Sequence, residues 1–269
     1  MNATGQSRWF PVAAGGAWLV ILFLVLPIVV VAPVSLTDKR YLSFPSEGIS
    51  FRHYATVFTQ SDWIVSAGHS LLVGLSSAVL ATVLGTLAAV GCWRLASRGM
   101  DIARTLLLAP MIVPPIVHAL GFYRAWIEFG LIDTFPGLII AHTVKGIPFV
   151  VVTVTAALAN FDLRIEQAAR SLGCTPVQAL LKAVVPSIRP GVIAGAVLAF
   201  ITSWDEVVVM LFITSRHVHT LPRQIWDGLQ DNLSPSIAAV ATLMVLATLA
   251  VLLLRTTLQR ARASREMTP

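Results

Sequence analysis

Three charged side chains stand where charge is expensive. Asp205 and Glu206 are adjacent within an otherwise apolar stretch from Gly191 to Ile213, and Lys145 lies inside another, from Leu138 to Leu158. A charge at the centre of a hydrocarbon layer costs about 2.5–3.5 kcal/mol on insertion scales, so such residues are retained for a task. Three tasks suit this trio. Paired carboxylates in a low dielectric attract cations. An acid–base set can relay protons or sodium ions. Lys145 can also simply neutralise one acid. Trp204, Thr202 and Ser203 precede the acids. An indole can stack on a cation, and hydroxyls can replace part of its lost water.

No other pattern in the chain offers bond-breaking chemistry. None of the three lysines, Lys39, Lys145 and Lys182, follows a glycine, so there is no phosphate-binding G-x-x-x-x-G-K-[ST] loop. H-E-x-x-H and G-x-S-x-G are also missing. The two cysteines, Cys92 and Cys174, are too few for a disulfide framework or a four-ligand zinc site. Catalysis and metal binding are therefore not expected of this chain, and any ATP hydrolysis it serves belongs to another one.

The elements that must hold these residues follow from composition. Of 269 residues, 56% are hydrophobic and 12% charged, with a mean hydropathy of +0.80. A soluble domain carries about 25% charged residues. The chain reads as an all-α, polytopic membrane protein, a single transmembrane domain over 1–269. Six apolar stretches approach the roughly 20 residues a membrane helix needs: 17–36, 64–92, 102–122, 138–158, 191–213 and 237–254. The first exceeds the apolar region of about 7 to 15 residues in a secretory signal, so it reads as a retained helix.

With six spans the loops sort by charge. The two tails and the loops after the second and fourth spans hold twelve Lys and Arg against four acids, and the opposite side holds six against seven. This bias predicts both termini in the cytoplasm. It also accounts for the net charge of +6 without nucleic acid, for which the short loops have no aromatic-studded basic patch.

At about 1.5 Å per residue, Asp205 lies about 21 Å from Gly191 and Lys145 about 20 Å from Leu158, so the two share a depth. Neighbours on a helix point about 100° apart, which predicts that one acid lines a path while the other is held by Lys145 or by a partner subunit. Both acids having a purely structural role is the alternative. Ser77, Ala81, Gly85 and Ala89, and Gly191 with Gly195, form thin stripes suited to helix packing. Pro110, Pro114 and Pro115 should kink the third span. The stretch from Tyr123 to Phe135 reads as an interfacial helix, and His118 and His142 as isolated core histidines.

The segment 160–190 is the most informative loop. Arg164 to Leu172 are good helix formers followed by Gly173 as a stop, and Thr175-Pro176 opens a second helix bounded by Pro186 and Pro190. In it, Glu166-Gln167-Ala168-Ala169-Arg170-Ser171-Leu172-Gly173, with Pro186 thirteen residues after Gly173, resembles the EAA loop of binding-protein-dependent ABC importer permeases. Gln167 stands where that pattern has glutamate, Ala183 where it has isoleucine and Val185 where it has leucine. Leu42-Ser43-Phe44-Pro45, Phe51-Arg52-His53-Tyr54, Ser203 to Val209, and Thr220-Leu221-Pro222 before Trp226 are similar to the spermidine/putrescine class.

The resemblance implies a type I importer fold in a bacterial inner membrane and a helix around Glu166, Gln167, Ala168, Ala169, Arg170, Leu172 and Gly173 that docks on a cytoplasmic ATPase. It further implies a second, related permease subunit forming a heterodimer, two ATPase subunits that hold the ATP and magnesium, and an external solute-binding protein. This chain would bind no cofactor. A polyamine or similar organic cation is the expected substrate, with Asp205, Glu206, Trp204, Thr202 and Lys145 along its path. Two rivals stay open on the residues alone: an ion-coupled carrier using Asp205, Glu206 and Lys145, and an exporter or channel subunit without a binding protein. Neither explains the pattern from Glu166 to Pro186.

Overall fold

The computed structural model of the chain describes residues 10–46, 48–231 and 233–266, and all regular structure among the described residues is helical. The chain forms two compact units, Met1–Ile64 with Asp227–Pro269, and Val65–Trp226.

In the first unit, α1 (Phe10–Ser35) and α2 (Arg52–Thr59) both pack on α12 (Pro235–Glu266). From Trp18 to Val30 the α1 residues are exposed, an arrangement suited to hydrocarbon and hostile to water. The helix ends where buried Ser35 donates to the Ala32 carbonyl (2.6 Å) and shares its hydroxyl with Tyr54 (2.6 Å).

The second unit begins within α3 (Ser61–Leu95) and continues through α4 (Arg98–Ile112), α5 (Pro115–Phe129), α6 (Phe135–Ala159), α7 (Leu163–Ser171), α8 (Pro176–Ala179), α9 (Val185–Trp204), α10 (Val208–Ile213) and into α11 (Leu221–Asp231). One core cluster joins Ala78, Ala81, Ala89 and Val90 of α3 to Val150, Val154 and Leu158 of α6, and to Val184, Ile188 and Ala199 near and along α9. The helices meet so closely that a Cβ at Gly195 would lie 2.5 Å from Thr153 Oγ1 and 2.9 Å from Val150 Cα. A second cluster gathers Val73, Ala119, Trp126, Leu138, Ala141 and the α10 residues Val209, Met210 and Ile213.

Among the described residues, four helices are each long and apolar enough to cross a membrane: Ala13–Ser35, Ser61–Leu95, Phe135–Ala159 and Pro176–Trp204. The apolar part of α12, Pro235–Ala250, is shorter. The expected third span, 102–122, is broken: α4 and α5 meet at 104°. Val113 is extended (ψ 130°) ahead of Pro114 and Pro115, two residues without an N–H to continue the ladder. The expected fifth span, 191–213, starts earlier and stops sooner. Pro186 and Pro190 end no helix: a π-helical turn at Leu180–Val184 carries α8 into α9, whose first turn holds Pro186 and whose interior holds Pro190, and the turn takes in Lys182, the residue whose carbonyl the Pro186 ring would otherwise meet.

The stretch from Tyr123 to Phe135 is likewise no separate helix. Its first half completes α5, which Gly130 closes in the left-handed conformation (φ +64°). Asp133, also left-handed (φ +55°), follows before Thr134 caps α6 by accepting from the Gly137 N–H (3.2 Å).

Candidate functional site

Two places in the second unit carry the residues singled out above. The first is the loop between α6 and α9. Asp162 caps α7 by accepting from the Arg164 N–H (2.9 Å), a good placement for an acid at a positive helix end. At the other end, Cys174 N–H donates to the Ala169 carbonyl (3.1 Å) and Gly173 N–H to that of Arg170 (3.0 Å). This paired closure needs a left-handed residue, and Gly173 supplies it at φ +91°. Thr175 and Gln178 then exchange side-chain and backbone hydrogen bonds (3.3 and 3.0 Å) to open α8.

The loop presents Gln167, Ala168, Arg170, Leu172 and Gly173 on its exposed surface, with Ala169 half-buried. Leu172 is 87% exposed, and Leu163, Ile165 and Val177 of the same loop are exposed too, an apolar surface of the kind that marks a site of protein contact when contiguous. Glu166 is different: it is 5% exposed and takes a 2.6 Å hydrogen-bonded ion pair from Arg94 at the end of α3. Pro186 lies beyond the π-helical turn in α9, apart from the exposed loop.

The second place is the end of α9. Asp205 and Glu206 do not sit within a continuous helix, because α9 stops at Trp204 and α10 starts at Val208. Two contacts hold the break. Glu206, buried, ion-pairs with Lys145 of α6, and its other oxygen accepts from the Val209 N–H (2.9 Å), capping α10. Asp205 is exposed and has no side-chain hydrogen bond or ion pair among the described residues. Trp204 leans on Phe200 (5.6 Å between ring centroids), and Thr202 is half-buried without a side-chain bond among the described residues.

A polar chain lies beside this pair that the sequence reading missed. Ser203 Oγ accepts from Ser77 Oγ of α3 (3.0 Å) and meets His142 Nδ1 (2.7 Å), all three buried. By sequence Ser77 belongs to a packing stripe and His142 stands isolated. The signal was matched spacing: His142 and Lys145 are three apart on α6, and Ser203 and Glu206 are three apart at the end of α9, giving two parallel rungs.

A third feature stiffens the loop between α10 and α11. The Asp133 carboxylate accepts from the N–H groups of Ser215 (2.9 Å), Arg216 (3.0 Å), His217 (2.9 Å) and Val218 (3.2 Å), and from the Ser215 hydroxyl (2.9 Å). Burial pushes the carboxyl up, but the bonds from Ser215, Arg216 and His217 outweigh it and hold the group well below the ordinary carboxylate range.

Residues 81–266 match the family of binding-protein-dependent transport system inner membrane components. The chain belongs to this family. The permease is 32% identical over 238 residues to the spermidine/putrescine transport system permease protein PotC of Haemophilus influenzae, spanning 88% of this chain and 92% of that one. It is 28% identical over 230 residues to the putrescine transport system permease protein PotI of Escherichia coli K12, spanning 83% and 82%. Its fold is similar to a chain in the crystal structure of a bacterial ABC transporter involved in the import of the acidic polysaccharide alginate: TM-score 0.70, 16% identity, 97% of this chain and 98% of that one.

The resemblance first drawn from the Glu166 to Pro186 pattern is thus supported over most of the permease, and its fold is that of type I importer permeases. It is a membrane transport subunit. Family membership also disfavours the ion-coupled carrier, whose case rested on Asp205, Glu206 and Lys145 alone.

Proposed function

We propose that this permease forms half of the pore of an ATP-driven importer of polyamines or similar organic cations, with both termini in the cytoplasm. A related permease supplies the other half, two ATPase subunits bind ATP and magnesium, and an external solute-binding protein delivers the substrate. In this reading the exposed loop from Gln167 to Gly173 docks on the ATPase. Its closure turns α6 and α9 and opens the pore outward.

The observation that carries the substrate class is the charge balance at the end of α9. Lys145 neutralises Glu206, which leaves Asp205 exposed as an uncompensated carboxylate beside Trp204. A fixed negative charge flanked by an indole in a low-dielectric path favours an ammonium group and disfavours an anion. The names of PotC and PotI point to the same class.

Affinity purification of the tagged permease from detergent-solubilised membranes tests the assembly, comparing wild type with Gly173→Asp. Co-purification of an ATPase and a second permease, with the ATPase lost in the variant, is the expected result. A chain that emerges alone from the wild-type membrane refutes the assembly.

A further inference from the structure

The exposed loop is held to the rest of the permease by very little. Among the nine residues of α7, Glu166 alone is buried, and its carboxylate is committed to Arg94, 72 positions earlier in the chain. A nine-residue helix with one buried side chain cannot be fixed by apolar packing. Its position therefore rests on that ion pair, on its two chain connections and on contacts with α8 and the π-helical turn that follow it in the chain.

The Arg94 end is seated through its neighbour Trp93, Arg94 itself lying at the surface. Its guanidinium lies 5.2 Å from the centroid of the Trp93 ring, and Trp93 meets Phe161 edge-on at 6.1 Å, one residue before the Asp162 cap. Trp93, Phe161 and Leu180 pack against the core formed by Ala89, Val90, Leu158 and Val184. The end of α3, the chain entering α7 and the π-helical turn leaving it are thus gathered at one point.

From that point α3 runs without a break or an internal proline. Seventeen residues back, about 25 Å along the helix axis, it carries Ser77, whose hydroxyl donates to Ser203. Ser203 in turn touches His142 and lies one turn from Glu206. One helix therefore touches the docking loop at Arg94 and the polar cluster at Ser77.

We infer that Arg94 and Glu166 form a strut that makes α3 a transmission rod, delivering a displacement of α7 to the Ser77–Ser203–His142 contact. Glu166 is a positioning residue in this account and makes no contact with the ATPase. Gln167, exposed and uncharged, stands where the family pattern has its acid. The inference rests on the importer reading given above.

The test uses the whole transporter in proteoliposomes with labelled spermidine as the probe, reading retained ATPase, ATP hydrolysis and uptake per ATP. Glu166→Gln and Arg94→Gln are expected to keep the ATPase bound while uptake per ATP falls about tenfold. The exchange variant Arg94→Glu with Glu166→Arg should restore at least half of it. Because the contact is a single Nη1–Oε1 bond, Arg94→Lys should stay within about threefold of wild type, which keeps the test open if Arg94→Gln is not recovered from the membrane.

Unchanged uptake per ATP in the single variants, or an exchange variant no better than they are, overturns the strut. Loss of the ATPase from Glu166→Gln also overturns it, by making Glu166 a docking residue. If the wild type itself holds no ATPase, the importer reading fails first.

Discussion

Lys145→Met is the perturbation whose cost follows most directly from the geometry. The side chains of Lys145 and Glu206 are only 12% and 7% exposed, and among the described residues the Glu206 carboxylate has one other hydrogen bond, from the Val209 N–H at 2.9 Å. Without the ammonium, that carboxylate is left charged in a low dielectric with a single hydrogen bond. Removing one member of a buried pair costs about 3–5 kcal/mol, whereas an exposed pair such as Arg124–Glu128 contributes at most about 1 kcal/mol. Adding Glu206→Gln removes the stranded charge and leaves an oxygen for Val209, so the double variant should recover all but about 1–2 kcal/mol. The assay is reversible unfolding of the purified permease in mixed micelles of dodecyl sulfate and dodecyl maltoside. A Lys145→Met protein within about 1 kcal/mol of wild type, or a double variant as unstable as the single one, would refute the reasoning.

Asp205→Asn should lower spermidine uptake at least about tenfold while leaving unfolding within about 0.5 kcal/mol of wild type, because Asp205 is exposed; a stability loss without an uptake defect would contradict this. Gly195→Val places a side chain where a Cβ already stands 2.5 Å from Thr153 Oγ1, and the same unfolding titration should show a loss of about 1–3 kcal/mol. Asp133 has a depressed carboxyl in the folded protein, so its contribution is complete above the ordinary value of about 3.9 and is lost as pH falls through the folded value. Asp133→Asn should therefore cost about 1–2 kcal/mol at pH 7, allowing for its partial exposure to solvent, and its deficit should shrink as the pH is taken below 4. A deficit that grows on acidification would reverse the assigned sign.

The features legible in the sequence are the ones whose causes are local. Gly173 and Thr175 announce the turn between α7 and α8 because helix closure and capping depend on residues within one turn. Long apolar runs announce membrane helices because hydrocarbon thickness sets their length. What escaped depends on distant partners. The stop of α9 at Trp204 was only half legible, since one of the two contacts that hold the break, Glu206 to the Val209 N–H, is local while the other comes from Lys145, some sixty positions earlier. Ser77, His142 and Ser203 come together from three helices, and each looks ordinary in its own segment. Pro186 misled in the opposite sense, because the π-helical turn just before it leaves no mark in composition, and Pro190 stands inside α9 without ending it.

In the proposed mechanism this permease moves its substrate only when an ATPase drives the loop around Glu166 to Gly173. That dependence is tested most directly by uptake of labelled spermidine into proteoliposomes that contain either the complete transporter or this chain alone. The expected result is uptake by the complete transporter with ATP and none by the single chain under any ion gradient. Gradient-driven uptake by the single chain, indifferent to ATP, would contradict the account and return Asp205, Glu206 and Lys145 to the centre of the mechanism.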